Sequence, residues 1–461
     1  MPSALHLRPC FHSHPNVTPS PNPNPRSPLP RRARRSPRGR ATFASSLSTP
    51  QSLRSNRSSR YAVLGAGFAG LSVAWHLLKH NAKESHICVD IFDENGVGGG
   101  ASGASGGLLH PYSPKAKLLW RGAECWKECL QLLTIAEQVT EATGPSRIIE
   151  DSTFNFDKTI VWRRGILRPA TSEKNAEILM ENAQSCLQSC SLEALNKEAV
   201  ECLIPGLCVP LNFAVYMPLG MNIHPKRYLQ ALFVACQNLA DELSASSRKE
   251  REINLYRKSV TNLHQLAGEY DAVIICLGAK VDMLPELEGK LPLRTCRGVV
   301  AELQLPTDMG GEVGYRSPSV LSDAWLAFQE PRRVFVGSTW EWKSRNYKSS
   351  VSKEEASRAM EELLPKAAAV YPEIRKWTFT GARAGLRAMP PVTPHGSLPL
   401  LGCLNNTIGE RGNCMYWLVG GLGSRGLLYH GLVGKLTAQA VISSNEDVIP
   451  SEFTSWKKMK A

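Results

Sequence analysis

Three glycines and an acid, Gly65-Ala66-Gly67-Phe68-Ala69-Gly70 followed by Asp93, have the types and spacing to hold a phosphorylated ligand. Gly65 permits a tight turn, Gly67 lets backbone approach a pyrophosphate, and Gly70 lets a helix pack closely on a strand. Phe68 and Ala69 then fall where a helix begins, and unpaired N–H groups there attract anions. Asp93 stands 23 residues beyond Gly70, with Glu94 directly after it. At that distance a carboxylate reaches the ribose hydroxyls of a dinucleotide.

The elements that must position these residues flank them. Tyr61–Leu64 is a short apolar strand, and Leu71, Ala74, Leu77 and Leu78 recur at helical spacing. Ile87–Phe92 is a second apolar run, ending at the acid. A glycine motif alone is a weak signal; with a strand before, a helix after and the acid in place it is a strong one.

A second run of small residues follows, from Gly98 to Leu108, and includes Gly100, Ala101, Ser102 and Gly107. It lets backbone come close to something flat or anionic, which a nicotinamide dinucleotide site does not require at this place. Gly103-Ala104-Ser105-Gly106-Gly107 also fits a hydrolase nucleophile pattern. That reading needs a strand directly before the serine, and five small residues stand there instead.

Further along, Gly220-Met221-Asn222-Ile223-His224-Pro225 precedes a helix running from Arg227, and Asp271–Ile275 is a buried-type strand running into Gly278. Gly381–Arg387 leads into Pro390–Gly402, and Tyr416–Val419 is a strand entering Gly420-Gly421-Leu422-Gly423-Ser424-Arg425-Gly426-Leu427. Over nearly all of 60–445 the sequence resembles the FAD-dependent oxidoreductases of the D-amino-acid-oxidase type. The resemblance implies noncovalent FAD, lying along Gly65–Gly70, Asp93, Glu94, Gly100–Ser102, Gly107, Gly278 and the turn of Gly421, Gly423, Ser424, Gly426 and Leu427. His395 stands where relatives commonly carry Asp.

The resemblance also implies oxidation of a C–N bond in a small carboxylate-bearing amine or amino acid by hydride transfer to the flavin. Arg387 and Arg425 fall where the family places substrate-side arginines, with Arg383 a weaker third. A guanidinium is the natural grip for a carboxylate in a dry site. The Gly421–Leu427 string is especially similar to the FAD domain of bacterial bifunctional enzymes that finish 5-methylaminomethyl-2-thiouridine. A tRNA wobble uridine is therefore the alternative substrate, and an FAD-binding assembly factor without turnover a further one. His110, His430, Trp340 and Trp342 are read as packing residues.

The fold expected is a two-domain α/β flavoprotein, with a Rossmann-like FAD-binding domain and a mixed or antiparallel substrate sheet. The FAD domain is assembled from 60–150, 220–290 and 380–461, the substrate domain from 151–219 and 291–379. Val299–Leu303 and Arg333–Gly337 read as strands of that sheet and Lys353–Leu364 as a helix.

Charge is unevenly spread. The formal net charge is +13, and residues 1–60 hold eleven arginines with no Asp, Glu or Lys, so the rest carries only +2. The body therefore gives no nucleic-acid signal from net charge. The Arg-, Ser- and Pro-rich segment 1–58 lacks an apolar core and reads as a transit peptide, to the plastid rather than the mitochondrion. No apolar run reaches the ~18 residues a spanning helix needs. The thirteen cysteines include no Cys-x-x-Cys pair, so no metal site is expected.

Overall fold

Tyr61 and Val63 face one hydrophobic core, Ala62 and Leu64 another, so the strand Ser59–Leu64 is buried on both faces. This is the condition of a parallel strand covered on both sides, and it explains the unbroken apolar run. The computed structural model describes residues 58–81, 86–142, 159–247, 250–305, 316–330, 332–409 and 412–459. The leader expected over 1–58 lies outside the described residues but for Ser58.

Ser59–Leu64 is central in a six-stranded sheet. It pairs in parallel with Ile87–Phe92 on one side and Ala272–Ile275 on the other. Arg251–Tyr256 and Met415–Gly420 extend the sheet in parallel, and Leu400–Cys403 closes one edge antiparallel. Helices Phe68–His80, Gly122–Ala142, Pro225–Ser247 and Gly426–Ser443 pack against one another in a single layer. Phe68–His80 is buried from Phe68 through Leu78, and Gly426–Ser443 is apolar almost all round, as a helix with neighbours on every side must be.

The second sheet is mixed and mostly antiparallel. Its long strand Arg294–Gln304 pairs with Thr378–Met389 along its length, and with Arg333–Gly337 and Glu341–Trp342. Trp325–Glu330, Ser319–Val320, Ile166–Pro169, Ala214–Met217 and Glu193–Leu195 complete it, with one parallel pairing between Ser319–Val320 and Ile166–Pro169. Helix Lys353–Val370 covers one face through Ala359, Leu363 and Ala367. A buried guanidinium locks this layer: Arg297 grips Glu355 with Nε and Nη2 at 2.6 and 3.1 Å, and donates to the carbonyls of Asn346, Lys348 and Ser350. Thr378–Met389 straddles the domain boundary expected at 379/380. It is a strand of the second sheet whose far end is tied to the first, since the Gly423 N–H donates to Ala388 O at 3.0 Å.

Candidate active site

All five parallel strands of the first sheet point their C-terminal ends the same way, and ligands of open α/β sheets bind beyond those ends. There Gly65 adopts φ +107° and its N–H donates to Phe92 O at 2.8 Å. The helix Phe68–His80 starts immediately after. Gly70 sits so close to the turn that a Cβ would lie 1.8 Å from Gly65 O. Asp93 braces the turn: its Oδ2 accepts from the Ala66 N–H and its Oδ1 from the Asn95 N–H, both at 2.9 Å. Burial pushes its carboxyl above the usual range, and those two N–H groups pull the other way. Glu94 pairs with Lys280, which holds its carboxyl below the ordinary value.

The second glycine run folds over the first. Gly100 precedes the one-turn helix Ala101–Ala104, and Ser102 Oγ accepts from the Phe68 N–H at 3.1 Å. Two connected hollows result. One, of about 140 Å³, is bordered by Gly65, Asp93, Glu94, Gly100, Lys258 and Lys280. The other, of about 550 Å³, opens between the two sheets and is bordered by Phe68, Ala69, Gly107, Gly423, Ser424, Gly426 and Leu427. Gly67, Ala101, Ser102 and Gly278 border both, so the cleft is long and continuous. Gly70 and Gly421 shape the backbone behind it without lining it.

Arg387 and Arg425 both line the larger hollow. On Thr378–Met389, residues 383, 385 and 387 share one face, as strand alternation demands. Arg387 donates to Thr339 O at 2.9 Å, Ser338 Oγ at 3.3 Å and Cys296 O at 3.4 Å, and lies over the Trp340 ring at 4.1 Å. Gly298 leaves it room, since a Cβ there would meet Nη2 at 2.2 Å. Neither Arg387 nor Arg425 has a carboxylate within ion-pair distance among the described residues, and burial lowers the pKa of both. Arg383 has another duty: it donates to the carbonyls of Ala104 and Ser105 and packs on Phe335 at 4.2 Å, fastening the second glycine run to the second sheet.

His110 also borders the hollow, fully enclosed; burial first, then Arg425 and Arg168, depress its pKa far below the ordinary value, so it is neutral. His430 does pack, as read from the sequence. Its Nδ1 donates to Leu427 O and its Nε2 accepts from the Tyr228 hydroxyl, each at 2.7 Å, and Phe68 rests on its ring. Trp340 and Trp342 correct the sequence reading. They are 45% and 46% exposed and stack on each other at 6.0 Å, Trp342 on the short strand Glu341–Trp342 at the sheet's rim and Trp340 in the segment just before it. His395 is exposed and tilts against Trp120. Sequence reasoning missed Arg168 and Trp325, both at the hollow. The alternation Ile166–Arg168, which puts the arginine on the same face as a core isoleucine, was the available signal.

The chain is similar to several known proteins. Residues 60–440 match the family described as FAD dependent oxidoreductase. A thiamine biosynthesis oxidoreductase, ThiO, of Rhizobium etli is 25% identical over 345 residues, covering 73% of this chain and 88% of that one. The crystal structure of glycine oxidase from Geobacillus kaustophilus superposes with a TM-score of 0.63 at 20% identity, covering 86% of this chain and 98% of that one. Iminodiacetate oxidase from Chelativorans sp. BNC1 gives 0.61 at 20% identity, with 85% and 98% covered. Two sheets sharing one long cleft, and a family match spanning most of the chain, agree: this chain belongs to the FAD dependent oxidoreductase (DAO) family.

Proposed function

We propose that the protein oxidises the C–N bond of a small amine or amino acid bearing a carboxylate, and that Arg387 holds that carboxylate. The observation that carries this reading is a guanidinium anchored by two carbonyls and a hydroxyl yet lacking any carboxylate partner, with its remaining donor capacity facing a cleft. An uncompensated charge in a dry site is costly unless a ligand pairs with it. The names of the related glycine and iminodiacetate oxidases fit the same substrate class.

The cleft fits FAD. The glycine turn admits no Cβ at Gly65 or Gly70, so the backbone N–H groups of Gly67 and Ala69 are open to a diphosphate, that of Phe68 being held by Ser102 Oγ. Asp93 and Glu94 border the adenosine end, and Gly278, Gly423, Ser424 and Gly426 the flavin end. When bound, FAD supplies the two-electron acceptor. The chain's own part is to orient the substrate carbon, exclude water and keep the neighbouring imidazole of His110 uncharged.

Arg387→Ala should raise KM by roughly 100-fold, the scale of removing one partner of a hydrogen-bonded charge pair, while FAD stays bound. Normal turnover by that variant would end the assignment. A tRNA wobble uridine ranks second. The exposed Trp340–Trp342 stack beside Arg387 favours it, because aromatic faces stack unpaired bases. Anaerobic bleaching of the flavin band by amino acids, or by modified tRNA alone, separates the two.

The acid-free segment 1–58 is proposed to direct import into the plastid, on its composition. A fluorescent protein carrying residues 1–60 should enter plastids; retention in the cytosol would refute this.

A further inference from the structure

The larger hollow carries more positive charge than a monocarboxylate answers. Its lining includes Arg168, Arg387, Arg425, His110 and Asp323, besides the Cys276 thiol that burial keeps protonated. His110 is neutral, and Asp323, exposed at the rim, forms no ion pair with any of the three arginines, although its charge partly offsets that of Arg168. Arg387 is spoken for by the carboxylate of the reading above. Two guanidinium groups remain.

Both line the same hollow, and the pKa of Arg425 is lowered by burial first and further by the charge of Arg168. Arg168 stands on Ile166–Pro169. Leu167 on that strand turns into the second-sheet core, while Ile166 and Arg168 turn toward the first. Its Nε is buried with no hydrogen-bond partner, and burial lowers its pKa. Arg425 precedes the helix Gly426–Ser443, so the positive end of that helix faces the same hollow. No hydrogen bond or ion pair of either side chain forms among the described residues.

From this we infer that the substrate is dianionic: a second acidic group, besides the carboxylate on Arg387, is taken by Arg168 and Arg425 together. The inference rests on the carboxylate role of Arg387. It places the substrate among amines carrying two acidic groups, such as an amino dicarboxylate or a bis(carboxyalkyl) amine, with the reacting C–N bond between the two anchors. Arg168 acts as a specificity residue touching the group remote from Arg387.

Redox-inert ethers test it, because oxygen replaces the oxidisable nitrogen. The FAD-loaded full chain is titrated with methoxyacetate, which has one carboxylate, and with diglycolate and 3-(carboxymethoxy)propanoate, which have two. The visible flavin spectrum reports binding. At least one dicarboxylate should bind about 30-fold more tightly than methoxyacetate, as expected for a charge-assisted contact in a dry site. Arg168→Gln should reduce that preference to within about threefold without altering methoxyacetate binding, and Arg168→Lys should retain part of it. Equal binding of all three ligands by the unaltered protein, or a uniform loss in Arg168→Gln, would overturn the inference. The ratio in the unaltered protein decides the matter alone if Arg168→Gln fails to fold. Failure of the underlying reading looks different: Arg387→Ala would then bind methoxyacetate as tightly as the unaltered chain.

Discussion

The guanidinium of Arg387 lies 4.1 Å above the ring centroid of Trp340, and that ring is half exposed at the rim of the cleft. The pair joins a residue turned inward by strand alternation to one in the segment that leads into the edge strand Glu341–Trp342. Trp340 therefore shields one face of the guanidinium while leaving its edge to the cleft.

If that contact holds Arg387 in place, Trp340→Ala should raise KM by about three- to tenfold, the scale of a cation–π contact, with kcat nearly unchanged. Because the indole is exposed, thermal stability should stay the same. Combined with Arg387→Ala, the Trp340 change should add little, since both remove one interaction. Fully additive effects on KM would show that Trp340 acts independently, on the substrate itself.

The glycine turn permits a sharper test. A Cβ at position 70 would lie 1.8 Å from a main-chain oxygen, whereas one at Gly381 meets nothing within 4 Å. Gly70→Ala should destabilise the protein by ~3 kcal/mol or more and should lose FAD, read from the absorbance ratio of flavin to protein. Gly381→Ala should bind FAD normally. Equal FAD content in the two variants would refute the packing role given to Gly70.

Acid should weaken the FAD-domain core through its histidines. Burial, and then the charge of His80, lowers His76 to about 3, and burial lowers His430 to about 4. The unfolded groups titrate near 6.5. Between those values the unfolded chain takes up protons that the folded chain refuses. Stability is therefore full above about pH 6.5 and falls with pH, by up to about 1.4 kcal/mol per unit for each group. Urea midpoints should drop between pH 7.5 and 5.5. His76→Leu, which also removes a buried nitrogen lacking a partner, should flatten that drop. An unchanged slope would exclude His76 as a contributor.

The sequence by itself determined whatever depends on neighbours along the chain. The strand Ser59–Leu64, its glycine turn, the helix from Phe68 and Asp93 are local, and their spacing reflects backbone geometry that few residue types satisfy. Family resemblance then reached the two-domain α/β architecture and FAD. Tertiary structure decided the rest, because it depends on which strands meet. Nothing local says that Arg383 turns back onto Ala104 and Ser105 while Arg387, four residues on, faces the cleft. That difference comes from the pairing of Thr378–Met389 with Arg294–Gln304 and from the space left by Gly298. Trp340 and Trp342 read as packing because alternation marks a strand, yet only the sheet's edge decides whether its side chains are covered. Arg168 is 219 residues from Arg387 in the chain. Only the closing of the two sheets over one cleft brings both to the same hollow, where uncompensated charge becomes a demand on the ligand.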